Sequence, residues 1–402
     1  MAVFHQGGIL PTFHRLGSPS LEKIEAELAW YSQERPVALV LPSLYSELEG
    51  PALKGIVNEL KQVKYLKEII VTLGPCTKAE FTKARKYFSV LPQKTMLIWN
   101  NGKCISEVHK TIKAAQLSLG EPGKGQSAWM AYGYIIAQKN IQVIALHDCD
   151  ILTYSRELLA RLCYPVTNPN LDYQFCKGFY SRVTDQMHGR VTRLLVTPLL
   201  RSLIKILGHL PLLEFLDSFR YPLAGEFSMD IDVARVNKIP GDWGLEMGVL
   251  AEVHRNCSVR RVCQVDIADN YEHKHQDLSP DDASKGLMKM CIDISKSIFR
   301  TLASEGVIYS DGFFKTLIAT YVRTAQDMVK RYEDDAAVNG LIFDRHKESL
   351  AVETFTKGIK NASEIIVLDP LGVPLISSWD RVTSALPKIL EMISAAVEQD
   401  NR

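Results

Sequence analysis

Short apolar runs alternate with longer segments of helical period through the N-terminal third of the chain. Each run is rich in β-branched side chains and ends at a proline, a glycine, an asparagine or a charged residue, as buried strands do. Segments 53–65 and 126–138 have helical length and period. This alternation predicts an α/β fold with a mostly parallel sheet, whose ligands bind at the carboxyl ends of the strands. The predicted strands cover residues 37–42, 68–73, 96–99 and 141–146.

The alternation becomes less regular after residue 150. Apolar patterns there predict strands at 173–180 and 259–267 and helices at 190–207 and 245–254. From about residue 281 the chain is predominantly helical. Connecting segments are short and polar throughout, so no low-complexity linker separates these parts.

We divide the chain into an N-terminal arm (1–35), a main domain (36–280) and a helical C-terminal region (281–402). The C-terminal region contains an amphipathic stripe with apolar side chains every three or four residues. Such a stripe packs either on the main domain or against a second copy in a homodimer, and both alternatives stay open here. The stripe consists of Phe313, Leu317, Tyr321, Ala325, Met328 and Tyr332.

Charge and composition narrow the functional class. Lys and Arg number 47 against 46 Asp and Glu among 402 residues, so no overall field attracts nucleic acid or a membrane surface. The eight cysteines are scattered without a C-x-x-C pair, which indicates free thiols of a reducing compartment. Because no secretory signal or long uninterrupted apolar stretch is visible, we predict a cytoplasmic protein.

The first candidate for chemistry is Asp148-Cys149-Asp150, directly after the strand at 141–146. Two carboxylates at a strand end make a hard-oxygen site for Mg²⁺ or Mn²⁺, which a diphosphate needs to bind and to depart. A polar turn or a helix N-cap explains the same residues without a metal. Taken alone, the D-x-D pattern favours the turn.

Two further segments carry cations. Lys124 lies in a glycine-rich loop (120–126) that opens the helix at 126–138, where backbone amides and an ammonium favour phosphate. His273 and His275 follow the strand at 259–267 and offer imidazole nitrogen to a metal. The alternative for residues 120–126 is a loop that merely starts a helix. The alternative for His273 and His275 is a solvated polar loop.

Two more segments suggest a substrate site. Gly189, Arg190 and Thr192 open an apolar helix, where a guanidinium, a hydroxyl and free amides can hold a phosphate or carboxylate. Glu226 and Glu246 lie beside small residues in the segments 222–226 and 242–246, where carboxylates can bind sugar hydroxyls. A surface arginine beside a helix cap, or a buried structural carboxylate, would look the same.

The order of these elements is more specific than any one of them. Pro42-Ser43-Leu44, Pro122-Gly123-Lys124-Gly125, Asp148-Cys149-Asp150, Gly189-Arg190-Val191-Thr192, Pro222-Leu223-Ala224-Gly225-Glu226 and His273-Lys274-His275 follow one another along the chain. Over residues 36–300 this series resembles the glucosyl-3-phosphoglycerate synthases. These are retaining glycosyltransferases of the GT-A fold, related to the mannosylglycerate synthases.

The resemblance implies transfer of glucose from a nucleotide sugar, commonly UDP-glucose, to 3-phosphoglycerate with a divalent cation, Mg²⁺ or Mn²⁺. Residues 36–280 would be the catalytic domain for both substrates, and the product a compatible solute of the glucosylglycerate type. The implied roles are nucleotide-sugar binding by Pro42, Leu44, Lys124 and Asp148; metal binding by Asp150 and His273; acceptor binding by Gly189, Arg190, Thr192 and His275; and catalysis by Glu226, Lys124 and Glu246.

The chain departs from the family pattern at two places. Tyr45-Ser46-Glu47 and Thr72 stand where the family has Asn-Glu-Glu after its first strand and an acidic residue on its second, which leaves the donor base open. His275 replaces an asparagine that would contact the acceptor. His275 and the run Asp242-Trp243-Gly244, which is similar to the mannosylglycerate synthases, permit a mannosyl donor or free glycerate as acceptor. A non-catalytic nucleotide-sugar sensor is a third hypothesis, which the aspartate pair and His273 disfavour, because a sensor needs no leaving-group metal.

Overall fold

A computed structural model gives the fold and describes residues 6, 8–17, 20–273, 282, 285–373 and 375–402. All the strands predicted from the sequence are present, with ends shifted by one to three residues. The strands are β1 (Thr12–Phe13), β2 (Val37–Ser43), β3 (Leu66–Leu73), β4 (Lys94–Trp99), β5 (Val143–Leu146), β6 (Phe175–Tyr180), β7 (Phe227–Asp230) and β8 (Val262–Ala268).

These strands form one sheet in the order β1-β8-β6-β7-β5-β2-β3-β4. Neighbouring strands run parallel except around β7, which is antiparallel to both β5 and β6. β7 was not predicted, because its four residues, FSMD, are too few and too mixed in polarity to stand out. The mostly parallel sheet is confirmed, with one reversed strand in its interior.

Both faces of the sheet are covered by helices, which explains why the strands are almost continuously apolar. In β2, Leu39 and Leu41 face one apolar cluster while Ala38 and Val40 face the other, and all four are fully buried. The carboxyl ends of β2 to β5 meet at one edge of the sheet. That edge is where an α/β sheet of this kind binds ligands.

Helices account for most of the remaining chain. The helix predicted at 53–65 ends five residues early, because the next strand already begins at Leu66. No helix in the described part is long and apolar enough to cross a membrane. The helices are α1 (Leu21–Tyr31), α2 (Pro51–Leu60), α3 (Lys78–Phe88), α4 (Lys103–Ala114), α5 (Lys124–Gln138), α6 (Arg156–Thr167), α7 (Thr197–Leu207), α8 (Pro211–Asp217), α9 (Ile231–Val236), α10 (Leu245–Asn256), α11 (Gly286–Ser304), α12 (Asp311–Val338), α13 (Arg345–Leu368), α14 (Trp379–Ala385) and α15 (Ile389–Asp400).

The two ends of the chain pack onto the central sheet. β1 pairs with β8 and α1 packs against α6, so residues of the predicted arm extend the main fold. The division at residues 36 and 280 stays a prediction.

All eight cysteines are free thiols, and seven of them are buried.

The amphipathic stripe of the C-terminal region packs inside the molecule. Leu317, Tyr321 and Ala325 on α12 are completely buried, and α12 contacts both α7 and α13. The Tyr321 hydroxyl donates a hydrogen bond of 2.7 Å to the Leu194 carbonyl in the main domain. For these residues, the first of the two alternatives raised by the sequence is confirmed.

Two tryptophans join the C-terminal end to the sheet. Trp129 on α5 and Trp379 on α14 stack with ring centroids 3.9 Å apart, and both are 1% exposed. Each indole N–H is satisfied, Trp379 by the Trp129 carbonyl at 3.0 Å and Trp129 by the Ser377 carbonyl at 2.9 Å. Gly133 makes room for this contact, since an added Cβ would lie 2.2 Å from the Trp379 ring. The stack therefore holds α5 against α14.

Trp379→Ala should lower the free energy of unfolding by about 3–5 kcal/mol, because it removes a fully buried indole and leaves a cavity against α5. The measurement is a urea titration followed by far-UV circular dichroism. Trp30→Ala is the matched control, since Trp30 is 71% exposed and its loss should change stability by less than about 0.5 kcal/mol. Equal loss in the two variants would contradict the assigned role of the stack.

Candidate functional site

An open cleft of about 830 Å³ lies at the carboxyl ends of β2 to β5. It is bounded on its far side by the loop after β6 and by the start of α10. Almost all the residues singled out in the sequence line it, although they are spread over more than 200 positions. Those lining the cleft are Pro42, Leu44, Lys124, Asp148, Asp150, Gly189, Arg190, Thr192, Glu246 and His273.

Lys124 forms ion pairs with two carboxylates at the edge of the sheet. It is the first residue of α5, and its Nζ lies 2.6 Å from Asp148 Oδ1 and 3.2 Å from Glu246 Oε1. Burial acts to lower the pKa of Lys124, but Asp148 and Glu246 outweigh it and raise the pKa above its ordinary value. The lysine is therefore a permanent cation where α5 begins, a position that favours anions.

Asp148 is correspondingly held as a carboxylate. Burial acts to raise the pKa of Asp148, but Lys124 and, more weakly, His273 and His147 lower it below its ordinary value. His147 is completely buried, and its Nδ1 lies 2.9 Å from the Asp148 carbonyl. Burial lowers the pKa of His147 to about 4, so the imidazole is neutral near pH 7.

The loop before β7 is shaped to fit this ion pair. A Cβ added to Gly225 would lie 2.6 Å from Asp148 Oδ2 and 2.9 Å from Lys124 Nζ, so only glycine allows the approach. The neighbouring Ala224 carbonyl accepts a hydrogen bond from Lys177, which is buried beneath the cleft. Burial lowers the pKa of Lys177 to about 8. Lys177 thus holds the loop on one side, and on the other side the loop packs against Asp148 and Lys124.

Asp150 and His273 approach each other across the cleft, with His273 Nδ1 3.7 Å from Asp150 Oδ2. Two ligands of an octahedral Mg²⁺ at bonds of 2.0–2.1 Å are about 3 Å apart when adjacent and about 4 Å apart when opposite. The observed 3.7 Å lies between these two values, so a small movement of either side chain would let both ligate one cation. In the described ranges no third His, Cys, Asp or Glu joins them, which suits a cation that takes its other ligands from phosphates and water.

The acceptor residues predicted at the helix start also come together. Gly189 has φ of +72°, the left-handed conformation that favours glycine, and the chain enters a π-helical turn (Val191–Val196) that continues into α7. Thr192 is 6% exposed, and its hydroxyl has no hydrogen-bond partner within the part of the chain that the structure describes. A buried hydroxyl left unpaired at the wall of a cleft is suited to a ligand.

Glu348 on α13 holds this helix start. Its Oε1 lies 2.7 Å from Arg190 Nε and its Oε2 lies 2.8 Å from Arg193 Nη1. Glu348 is 4% exposed, and Arg193 also lies over the Tyr332 ring at 4.7 Å. The C-terminal region therefore sets the position of Arg190.

Glu226 does not reach the cleft surface. Its side chain is completely buried, and it accepts hydrogen bonds from Tyr180 at 2.9 Å and from Tyr271 at 2.5 Å. The two tyrosine rings stack with centroids 3.8 Å apart and line the cleft in front of it. Burial and the charge of Asp148 raise the pKa of Glu226 against the lowering effect of these hydrogen bonds. The tyrosine pair therefore lies between Glu226 and the cleft, and a direct contact of Glu226 with a ligand stays a prediction.

The structure also adds residues that the sequence did not single out. Arg182, Tyr180 and Tyr271 line the cleft, and Glu348 supports it from α13. Arg182 follows the end of the strand predicted at 173–180, which was a signal for it, while nothing near Glu348 indicated a contact with Arg190. His275 lies outside the described residues.

Comparison with known proteins identifies close relatives along the whole chain. The glucosyl-3-phosphoglycerate synthase of Persephonella marina is 46% identical over 401 residues, covering 100% of this chain and 99% of the relative. The protein of the same name from Methanococcoides burtonii is 37% identical over 384 residues, covering 94% of each. No family model matches the sequence.

Solved structures support the fold. The glucosyl-3-phosphoglycerate synthase of Mycobacterium tuberculosis in complex with Mn²⁺, uridine-diphosphate-glucose and phosphoglyceric acid superposes with a TM-score of 0.53. The match covers 75% of this chain and 89% of that one at 21% identity. This likeness confirms the GT-A fold, a mostly parallel sheet flanked by helices, that the sequence predicted.

Glu348→Ala should lower the free energy of unfolding by about 3 kcal/mol. Removing this carboxylate leaves Arg193, which is 12% exposed, and the more exposed Arg190 without a counter-charge. Breaking a buried ion pair costs about 3–5 kcal/mol, and the low end applies because both arginines are partly exposed. Urea unfolding measures the change. Glu353→Ala on the same helix is the control, since Glu353 is exposed and should change stability by less than about 0.5 kcal/mol. A Glu348→Ala variant as stable as this control would contradict the bridge.

Proposed function

The chain belongs to the glucosyl-3-phosphoglycerate synthase family, and on that basis we propose that it transfers glucose from UDP-glucose to 3-phosphoglycerate with retention of configuration. It is a metal-dependent glycosyltransferase of the GT-A fold. The observation that carries the proposal is the pairing of two anion-binding ends in one cleft. One end holds Lys124 beside the Asp150–His273 pair, and the other holds the start of the helix at Arg190.

The first end suits the diphosphate of the donor. A divalent cation held by Asp150 and His273 would neutralise negative charge that builds on the departing nucleotide diphosphate. Lys124 supplies a second, permanent positive charge, which Asp148 and Glu246 hold in place. Pro42 and Leu44, at the end of β2, line the same part of the cleft and suit the nucleotide. Leu44 is 55% exposed, an apolar surface available to a planar base.

The second end suits the acceptor phosphate. Backbone amides at the start of the helix after Gly189 have no partners within the helix, and the Thr192 hydroxyl is unpaired beside them. Arg190 adds a guanidinium whose Nε is held by Glu348. Such a set of donors recognises a phosphate through charge-assisted hydrogen bonds.

The surroundings of Lys124 favour attack from the same face as departure. The carboxylates nearest to Lys124, Asp148 and Glu246, are engaged in ion pairs with it. Glu226 is buried behind Tyr180 and Tyr271. A covalent intermediate would need a carboxylate free to attack the sugar, so we infer that the acceptor hydroxyl attacks directly. Glu246 then orients the sugar, and Glu226 acts through the tyrosines. The homodimer stays a prediction.

The direct test is nucleotide release from a panel of UDP, GDP and ADP sugars, each with and without 3-phosphoglycerate or glycerate at saturating Mg²⁺. We expect the fastest release with UDP-glucose and 3-phosphoglycerate together, and a glucosylated phosphoglycerate detectable by mass spectrometry. Preference for a mannosyl donor or for glycerate would replace the proposed substrates. Binding of the nucleotide sugar without release in any combination would favour the sensor hypothesis.

Asp150→Ala should lower kcat/KM for transfer by about 100-fold or more at saturating Mg²⁺, the size of effect found when one group stabilising transition-state charge is removed. Steady-state kinetics with UDP-glucose and 3-phosphoglycerate measure the loss. Asp232→Ala is the matched control, because this carboxylate is 78% exposed and lies outside the cleft lining. Unchanged kcat/KM in Asp150→Ala would remove Asp150 from the metal site.

A further inference from the structure

Arg182 occupies the opposite end of the loop that carries Gly189. It follows β6 by two residues, and its carbonyl accepts a hydrogen bond of 2.9 Å from the His188 N–H, which closes the loop at its base. The half-buried Arg182 lines the same cleft as Gly189, Arg190 and Thr192. Its place in the fold is therefore beside the phosphate-binding end.

The charge of Arg182 is balanced differently from those of its neighbours. Lys124 is paired with Asp148 and Glu246, and Arg190 is paired with Glu348. Arg182 forms no ion pair with a carboxylate anywhere in the described ranges, and its one side-chain hydrogen bond goes from Nη1 to the Tyr221 hydroxyl at 3.2 Å. The cleft thus holds a half-buried guanidinium with no counter-ion from the described protein.

The donor atoms of Arg182 leave an unpaired edge. Its Nε is buried and has no hydrogen-bond partner among the described residues. With Nη1 directed to Tyr221, the edge formed by Nε and Nη2 remains, and this edge of a guanidinium matches the two oxygens of a carboxylate. Because a partly buried charge is costly without a partner, the arrangement indicates an anion supplied by the ligand.

Tyr221 connects this edge to the phosphate-binding end. A Cβ added to Gly189 would lie 3.0 Å from the Tyr221 hydroxyl, which also accepts from Arg182. Arg182 and Gly189 are therefore separated by a single hydroxyl group. A short acceptor with an anionic group at each end can contact both at once.

We propose that Arg182 binds the carboxylate of the acceptor, while the helix start at Gly189, Arg190 and Thr192 binds its phosphate. The inference rests on the proposed function, since it assigns the second charged group of the same substrate. It makes Arg182 a specificity-determining residue that distinguishes a phosphorylated hydroxy acid from a phosphorylated alcohol of the same length.

The test combines one substitution with a truncated ligand. Binding constants of 3-phosphoglycerate and of glycerol 3-phosphate, which lacks the carboxylate, are measured in the presence of UDP and Mg²⁺ for the unmodified protein and for Arg182→Gln. We expect Arg182→Gln to weaken 3-phosphoglycerate binding by about 10- to 100-fold, the worth of a charge-assisted hydrogen bond, and to change glycerol 3-phosphate binding by less than about twofold.

Two further variants sharpen the comparison. Arg190→Gln should weaken the two ligands by similar factors, because both carry the phosphate. Arg201→Gln is the matched control, since Arg201 pairs with Asp217, is 43% exposed and lies outside the cleft lining, so it should leave both constants unchanged. Thermal melting of each variant identifies any general loss of structure.

The outcomes distinguish a failure of the carboxylate assignment from a failure of the proposed function. Equal weakening of both ligands by Arg182→Gln, or no weakening of either, would overturn the carboxylate assignment while transfer to 3-phosphoglycerate by the unmodified protein still stands. If the unmodified protein transfers no glucose to 3-phosphoglycerate, the proposed function fails first. A selective loss for 3-phosphoglycerate, restored in part by Arg182→Lys, supports the assignment.

Discussion

A lysine held between two carboxylates fixes the half of the cleft that we propose binds the donor. Ionised groups at a partly buried position need partners, and Lys124, Asp148 and Glu246 satisfy one another across three separate elements of the chain. Their contact requires α5 to begin where β5 ends, α10 to begin opposite, and the loop at Gly225 to carry no side chain. The position of the reactive groups is thus a consequence of charge pairing as much as of sheet topology.

The acceptor half depends on a different set of contacts. The loop between β6 and the π-helical turn is held by the C-terminal region, through Glu348 on Arg190 and Arg193 and through the Ile342 N–H on the Asp185 carbonyl at 2.8 Å. The stripe on α12 packs beneath the same helix. The helical C-terminal region therefore positions one of the two proposed substrate sites, which its sequence did not indicate.

Local patterns predicted the framework well, because fully buried parallel strands leave continuous apolar runs and their ends expose polar residues. Lys124, Asp148 and Asp150 could be found this way. Partners distant in sequence could not: Glu348 is one acidic residue among many on a long helix, and Glu226 lies in a glycine-containing loop that gives no sign of the tyrosines covering it. The antiparallel β7 was missed because its pairing is decided by neighbours rather than by its own composition.

The tryptophan stack has a consequence for how the protein is made. Trp129 lies five positions after Lys124 on α5, and its partner Trp379 comes near the other end of the sequence. During synthesis, α5 and the sheet emerge from the ribosome long before residue 379. The helix that presents Lys124 therefore gains its contacts with Trp379 and with α15 only after some 250 further residues have been synthesised, so the nascent chain completes the proposed donor site late.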